Sequence, residues 1–294
     1  MSSTARSVSR CSMRGLFGTF KLDCKAAALE FVGTTLFLLL GLGGIQAATD
    51  ETGVSGTTIE HVMYIATSMG FSLLVSAWLF YRITGGLFNP NITLALFLVG
   101  LVSPVRFVLF CIAQLVGAIT ASALLLALTP GPLYVNTFLQ KGINSFQGVF
   151  IEMFLTATLA LAVLMLAAEK SQVTPFAPIG IGLTLFVGHL WAIFYTCASM
   201  NTARSFGPAV VTGFPYPDHW VYWVGPFLGS LLGAAFYSML KWIHYQDLNP
   251  GQSSTQEKDS PDPVLTEAPS DTENAWHNGD VAGRSAGSVG TCKP

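Results

Sequence analysis

From Val62 to Tyr81, and again from Trp220 to Leu240, the chain carries no Asp, Glu, Lys or Arg. About 20 such residues let an α-helix cross the roughly 30 Å hydrocarbon core of a bilayer. Inside that core the backbone must satisfy its own hydrogen bonds, which restricts spanning segments to helices or closed barrels. Reading for mainly apolar runs of about that length gives six, at about residues 26–47, 62–82, 104–128, 148–168, 176–197 and 220–243. Two further apolar stretches, Asn91 to Val99 and Ala203 to Val211, are too short to cross. They read as half-helices that enter and turn back. The expected fold class is an all-α membrane protein of six transmembrane helices plus two re-entrant half-helices.

Composition agrees. Charged residues make up 10% of the chain and mean hydropathy is +0.55, whereas a soluble protein carries about 25% charged residues. A net charge of −2 argues against a nucleic-acid partner, which calls for a basic surface. Cys11, Cys24, Cys111, Cys197 and Cys292 show no CxxC spacing, so neither a disulfide framework nor a metal site is indicated, and no cofactor is expected. The N-terminal residues include Arg6, Arg10, Arg14, Lys21 and Lys25 without a compact signal peptide and cleavage site, and that tail is expected to remain. If the helices alternate, the tail, Arg82, Arg106, Lys170 and Lys241 share one side, against a lone Lys141 on the other. The positive-inside bias then places both termini in the cytoplasm. The expected organisation is a cytoplasmic tail at 1–25, a membrane domain at 26–244, and a tail at 245–294. The last is rich in Ser, Pro, Gly, Asp and Glu and reads as disordered.

The membrane domain repeats internally. Shifted by 112 residues, Asn89-Pro90-Asn91-Ile92-Thr93 falls on Asn201-Thr202-Ala203-Arg204-Ser205, Gly70 on Gly182, and Ala113, Gly117 and Ala121 on Gly225, Gly229 and Gly233. The last set is a small-xxx-small stripe, which lets backbones approach where lipid supplies no hydrophobic drive. The halves, about 26–128 and 148–243, each hold three spans. An odd number inserts the second half upside down relative to the first, an inverted repeat about an axis in the membrane plane. The two half-helices then meet tip to tip near the midplane. Glu30 and Glu152 lie near the start of the first helix of each half. A carboxylate there is costly unless hydrogen-bonded, so both are expected to clamp the irregular backbone of the re-entrant loops.

Helix N-termini present unpaired N–H groups and about half a positive charge each. Asn is a good N-cap, its oxygen accepting from the helix while its amide remains a donor. Asn89 and Asn201 are therefore set to offer donors to something passing between them. Facing positive dipoles repel cations, paired donors bind a water oxygen, and Arg204 adds a full positive charge three residues after Asn201.

The stretches Gly85-Gly86-Leu87-Phe88-Asn89-Pro90 and Asn201-Thr202-Ala203-Arg204-Ser205-Phe206-Gly207-Pro208 resemble the paired Asn-Pro-Ala boxes of the aquaporins. The resemblance covers about residues 25–245, and Tyr222-Trp223-Val224-Gly225-Pro226-Phe227 looks like the corresponding part of fungal water channels. It implies an aquaporin-like fold in 26–244, a passive channel for single-file water that excludes protons and ions, and a homotetramer in the plasma membrane with one pore per subunit. Enzymatic activity is not expected. The resemblance also implies a selectivity filter of Met69, His189, Ala198 and Arg204. His189 with Arg204 is similar to the water-selective branch; the glycerol branch has Gly in place of the His and Asp after the Arg, where this chain has Ser205.

Three positions depart from the family pattern. Asn91 stands where the first box has Ala, Thr202 where the second has Pro, and Met69 where water channels have an aromatic residue. In the family fold the Ala of each box touches the Pro of the other. Pro90 and Ala203 keep one such contact, and an amide–hydroxyl hydrogen bond between Asn91 and Thr202 is expected at the other, making these two part of the central constriction with Asn89 and Asn201. Met69 is more flexible than Phe, which makes hydrogen peroxide an expected second cargo. Other readings left open are a facilitator of small neutral solutes and a closed, structural member.

Overall fold

The computed structural model describes residues 18–52 and 58–252. The expectations for 1–17 and 253–294 lie outside the described residues. The chain divides into two units, 1–253 and 254–294, and only the first contains described residues.

Among the described residues the protein is helical, without strands. Eight α-helices lie among the described residues, in order α1 (Phe20–Thr52), α2 (Ile59–Phe80), α3 (Pro90–Leu98), α4 (Pro104–Leu128), α5 (Ser145–Val163), α6 (Ala177–Thr196), α7 (Thr202–Thr212) and α8 (Val221–Trp242). Six are long and apolar enough to cross a membrane, α3 and α7 being the exceptions. Their starts carry the local chemistry that helices need. Thr58 caps α2 by accepting from His61 N, Ser103 caps α4 ahead of Pro104, and Asn144 with Gln147 forms a capping box on α5. Each satisfies N–H groups that a helix cannot pair internally. A π-helical turn at Leu164–Ala168 extends α5.

Two boundaries differ from the sequence reading. Helix α1 begins at Phe20, so Lys21 and Lys25 lie on the helix rather than in a tail. Asp23 in its first turn is buried and paired with Arg106 at 2.7 Å. At the other end a short 3-10 turn, Tyr245–Asp247, follows α8. Tyr245 is tied back to Glu169, so the polar composition after 244 does not mark where ordered chain stops.

The packing is duplicated. Helix α1 lies against α4 as α5 lies against α8, and α2 crosses α6. At that crossing a Cβ on Gly70 would meet the Gly182 carbonyl oxygen at 3.0 Å, and one on Gly182 would meet the Gly70 oxygen at 2.8 Å. The two repeat-related glycines therefore face each other on the pseudo-two-fold axis, where only an absent side chain permits the approach. The stripes act alike: Gly117 sits on Phe31 and Thr34 of α1, and Gly229 on Met153 and Thr156 of α5. This is close backbone packing suited to lipid surroundings.

Candidate functional site

Helices α3 and α7 have nine and eleven residues. Placed tip to tip at 1.5 Å per residue they make about 30 Å, the thickness of the hydrocarbon core; together they do the work of one span broken at its middle. Asn89 and Asn201 are the two N-caps. Asn89 Oδ1 accepts from Asn91 N at 2.9 Å, and Asn201 Oδ1 accepts from Ala203 N at 2.9 Å and Arg204 N at 3.3 Å. Their amide nitrogens cross the junction. Asn89 Nδ2 donates to the Met200 carbonyl at 2.8 Å, and Asn201 Nδ2 to the Phe88 carbonyl at 2.9 Å. An amide NH2 has two hydrogens, so one from each side chain is left for the lumen. That reciprocal lock was not foreseen from sequence.

The non-helical legs that deliver these caps are strained. Phe88, Cys197, Ala198 and Met200 all have positive φ, between 50° and 58°, a conformation costing a non-glycine residue roughly 1–2 kcal/mol. Two carboxylates hold it. Glu30 Oε1 accepts from Phe88 N at 2.6 Å and from Gln114 Nε2 at 2.9 Å. Glu152 accepts from Thr196 Oγ1 at 2.6 Å, Ser199 N at 2.9 Å and Met200 N at 2.7 Å. Gln114 escaped the sequence reading although an amide in the middle of the 104–128 run was a usable signal. Tyr222, whose hydroxyl donates to the Thr196 carbonyl at 2.9 Å, gave no such signal.

Asn91 and Thr202 meet across the axis. Thr202 Oγ1 lies 2.9 Å from Asn91 Oδ1 and 3.0 Å from the Tyr222 carbonyl, so its single proton serves one at a time. Thr202 N also donates to Asn91 Oδ1, at 2.9 Å.

Of the four filter candidates, Met69, Ala198 and His189 are buried and Arg204 is 1% exposed. Arg204 Nη1 donates to the Val135 carbonyl at 2.7 Å, from the α4–α5 connection, while its Nε has no protein partner. The loop that carries Val135 is held in turn by Gln46 of α1, which donates to Pro132 O and accepts from Tyr134 N. His189 Nδ1 is 2.9 Å from the Leu185 carbonyl. A carbonyl only accepts, so the hydrogen sits on Nδ1 and the neutral ring leaves Nε2 as an acceptor, and Nε2 has no protein partner. Buried polar atoms without partners are costly; Arg204 stands beside open space, whereas His189 and Ala198 do not line it.

That space is two cavities. One, of about 330 Å³, is lined by Asn89, Asn201, Met69, Ile181, Lys170 and Arg204 among others. The second, about 530 Å³, is lined by His61, Tyr134, Gln140, Lys141, Tyr216 and again Arg204. The guanidinium thus forms part of the wall of both. His219 and His244 line neither. Among the described residues no cluster of His, Cys, Asp and Glu has a geometry to hold a metal.

The family described as major intrinsic protein matches residues 19–237. Aquaporin-1 of Laccaria bicolor is 63% identical over 254 residues, covering 85% of this chain and 82% of that protein. Aquaporin-1 of Gibberella zeae is 49% identical over 227 residues, 76% of this chain and 71% of its own length. Among solved structures, the aquaglyceroporin from Plasmodium falciparum superimposes with a TM-score of 0.61 at 20% identity, over 76% of this chain and 99% of that one, a likeness of fold.

Proposed function

We propose that this chain, which belongs to the major intrinsic protein (aquaporin) family, conducts water passively in single file and excludes protons and ions. As a member of that family it is a multi-pass membrane channel for water or small solutes, and not an enzyme. The observation that carries the narrower reading is the pair of helix tips on the wall of the 330 Å³ cavity. There two capped helix tips point at one another, each with a spare amide hydrogen from Asn89 or Asn201.

A water molecule at that point accepts from the two amides and so turns both its hydrogens outward, which interrupts the donor-to-acceptor chain that proton hopping requires. The helix N-termini add about half a positive charge each, and Arg204 a full one, so a cation or hydronium meets an electrostatic barrier in a site of low dielectric. Met69, His189, Ala198 and Arg204 form the filter in this reading. The Arg204 N–H groups donate to a passing water, and His189 Nε2 accepts from it. Asn91 and Thr202 hold the two tips together, and Glu30 and Glu152 fix the legs whose carbonyls line the path. The reading extends to a homotetramer in the plasma membrane with cytoplasmic termini. A second cargo, hydrogen peroxide, is favoured by Met69, whose side chain can move where an aromatic ring would be rigid.

Stopped-flow shrinkage of proteoliposomes tests this. Wild type should exceed empty liposomes in water permeability without passing protons, as read by an enclosed pH dye. Replacing Arg204 by Val should retain water flow and admit protons or small cations. Wild type no faster than empty liposomes would leave the structural, non-conducting reading in its place.

A further inference from the structure

The wall of the cavity departs from the internal symmetry of the chain at Met69. Glu30 recurs as Glu152, 122 residues on, and the same spacing carries Phe31 and Thr34, which face Gly117, onto Met153 and Thr156, which face Gly229. In that register Gly41 of α1 corresponds to Val163 of α5. The 112-residue shift that pairs Gly70 with Gly182 likewise pairs Met69 with Ile181. Val163 and Ile181, both stiff and β-branched, line the cavity. At the matching place Met69 lines it and has a glycine behind it.

A Cβ built on Gly41 would lie 2.6 Å from Met69 Sδ, with Met69 Cε and Ser72 Cβ next at 3.6 Å. No backbone atom is among these nearest neighbours. The slot is therefore occupied by the far end of one flexible side chain. This differs from Gly117 or Gly207, where the first obstacle is a carbonyl oxygen of a packed helix.

We propose that Gly41 is a positioning residue for the filter: its missing side chain forms a recess that takes the Met69 thioether and thereby sets the width of the lumen that Met69 lines together with Arg204. The inference rests on the channel reading above. Methionine has three rotatable bonds and fills whatever shape is offered. With the recess filled, α1 and Ser72 close two sides, and the cavity that Met69 already lines is the side left open. The lumen narrows by roughly the depth the sulfur gives up. Solutes bulkier than water feel this first. Gly41 thus governs how far the chain passes a molecule such as hydrogen peroxide, although it contacts no solute itself.

The test compares wild type, Gly41→Ala, Met69→Ala and Gly41→Ala/Met69→Ala in one set of proteoliposomes, matched for protein and checked for a monodisperse elution profile. Water permeability should fall at least threefold in Gly41→Ala, and hydrogen peroxide uptake should fall by a larger factor. In the double variant, with no thioether left to displace, both should return to wild type or above, as in Met69→Ala alone. Gly41→Ala conducting both solutes like wild type overturns the proposal, and so does a double variant as impaired as the single one, which would place the effect in helix packing. If Gly41→Ala does not fold, the double variant decides by the same criterion. A wild type that does not exceed empty liposomes removes the channel reading itself; a conducting wild type with an unaffected Gly41→Ala removes only the role given to Gly41.

Discussion

The backbone N–H of Thr202 donates to Asn91 Oδ1 at 2.9 Å, across the axis that relates the two half-helices. Thr202 is the first residue of α7, a position where proline is favoured because its missing N–H would find no partner inside the helix. A threonine there reintroduces that donor at a buried position, and Asn91 on the other half supplies the acceptor. The hydroxyl contact between the same residues is the lesser part of the pairing, since Tyr222 O is an equal alternative for that proton.

Asn91→Ala should therefore destabilise the protein by roughly 1–3 kcal/mol, the cost of an unpaired buried donor. Thr202→Pro removes the donor. The double variant Asn91→Ala/Thr202→Pro should recover at least half of the loss in thermal unfolding in detergent, a coupling of the size seen for residues in direct contact. Strictly additive effects would reject the pairing.

Glu152 bonds three donors of one leg, Thr196, Ser199 and Met200, where the backbone holds positive φ. Hydrogen bonds to a charged group contribute roughly 1.5–3 kcal/mol each, enough to offset strain of roughly 1–2 kcal/mol per residue. Glu152→Ala should abolish recovery of monodisperse protein, and Glu152→Gln should lower the unfolding temperature while keeping the fold. The comparison is made by size exclusion and thermal scans on protein purified identically. A fully stable Glu152→Ala would refute the clamp.

How far the sequence foretold these relations depends on the kind of signal. Asn89 and Asn201 were legible because the duplication showed them twice, and the half-helices because nine or eleven apolar residues cannot span a bilayer. The carboxylates were legible because an apolar run has no other use for charge. The reciprocal amide bonds to Phe88 O and Met200 O were not, because carbonyls carry no residue code. Nor was the left-handed backbone at Phe88, Ala198 and Met200, since none is Gly or Asn and tertiary contacts impose the conformation. Val135 reaches Arg204 through its carbonyl and left no trace in its side chain. The recess at Gly41 was hidden for a similar reason, one glycine among 29 distinguished only by what packs on it.

Gly207 separates a packing role from a lumen role. It lies on the side of α7 against α4, and a Cβ there would meet Ala118 O at 2.4 Å, Ala118 C at 2.5 Å and Ala118 Cβ at 2.8 Å. Backbone atoms cannot give way without shifting α4. Gly207→Ala is expected to cost roughly 1–3 kcal/mol or more, in the range of overpacked cores, and no second substitution at a neighbouring side chain should rescue it. Thermal unfolding of Gly207→Ala with and without Ala118→Gly checks this. Restoration to wild-type stability by Ala118→Gly, which removes only the Cβ, would place the obstacle in that side chain instead.

Glu169 follows the π-helical turn whose Ala167 and Ala168 line the cavity, and it gathers the end of α8. Its carboxylate accepts from the hydroxyls of Tyr237 and Tyr245 and pairs with Lys241 Nζ at 3.0 Å. Partial burial pushes its pKa up, but the hydrogen bonds from Tyr237, Lys241 and Tyr245, with the Lys241 charge, outweigh that and hold it below the ordinary 4.5. A carboxyl lowered in the folded state adds stability that is complete above 4.5 and disappears as pH falls through the lowered value. The contact that ties Tyr245 to the loop should therefore be intact at neutral pH and loosen only in acid below 4.5. Hydrogen exchange of residues 243–249, corrected for the intrinsic pH dependence of exchange, should show protection lost over that range in wild type. In Glu169→Gln, which has no charge to titrate, the same segment should be less protected at neutral pH and show no acid transition. Matching profiles in the two proteins would mean that Glu169 does not hold the segment.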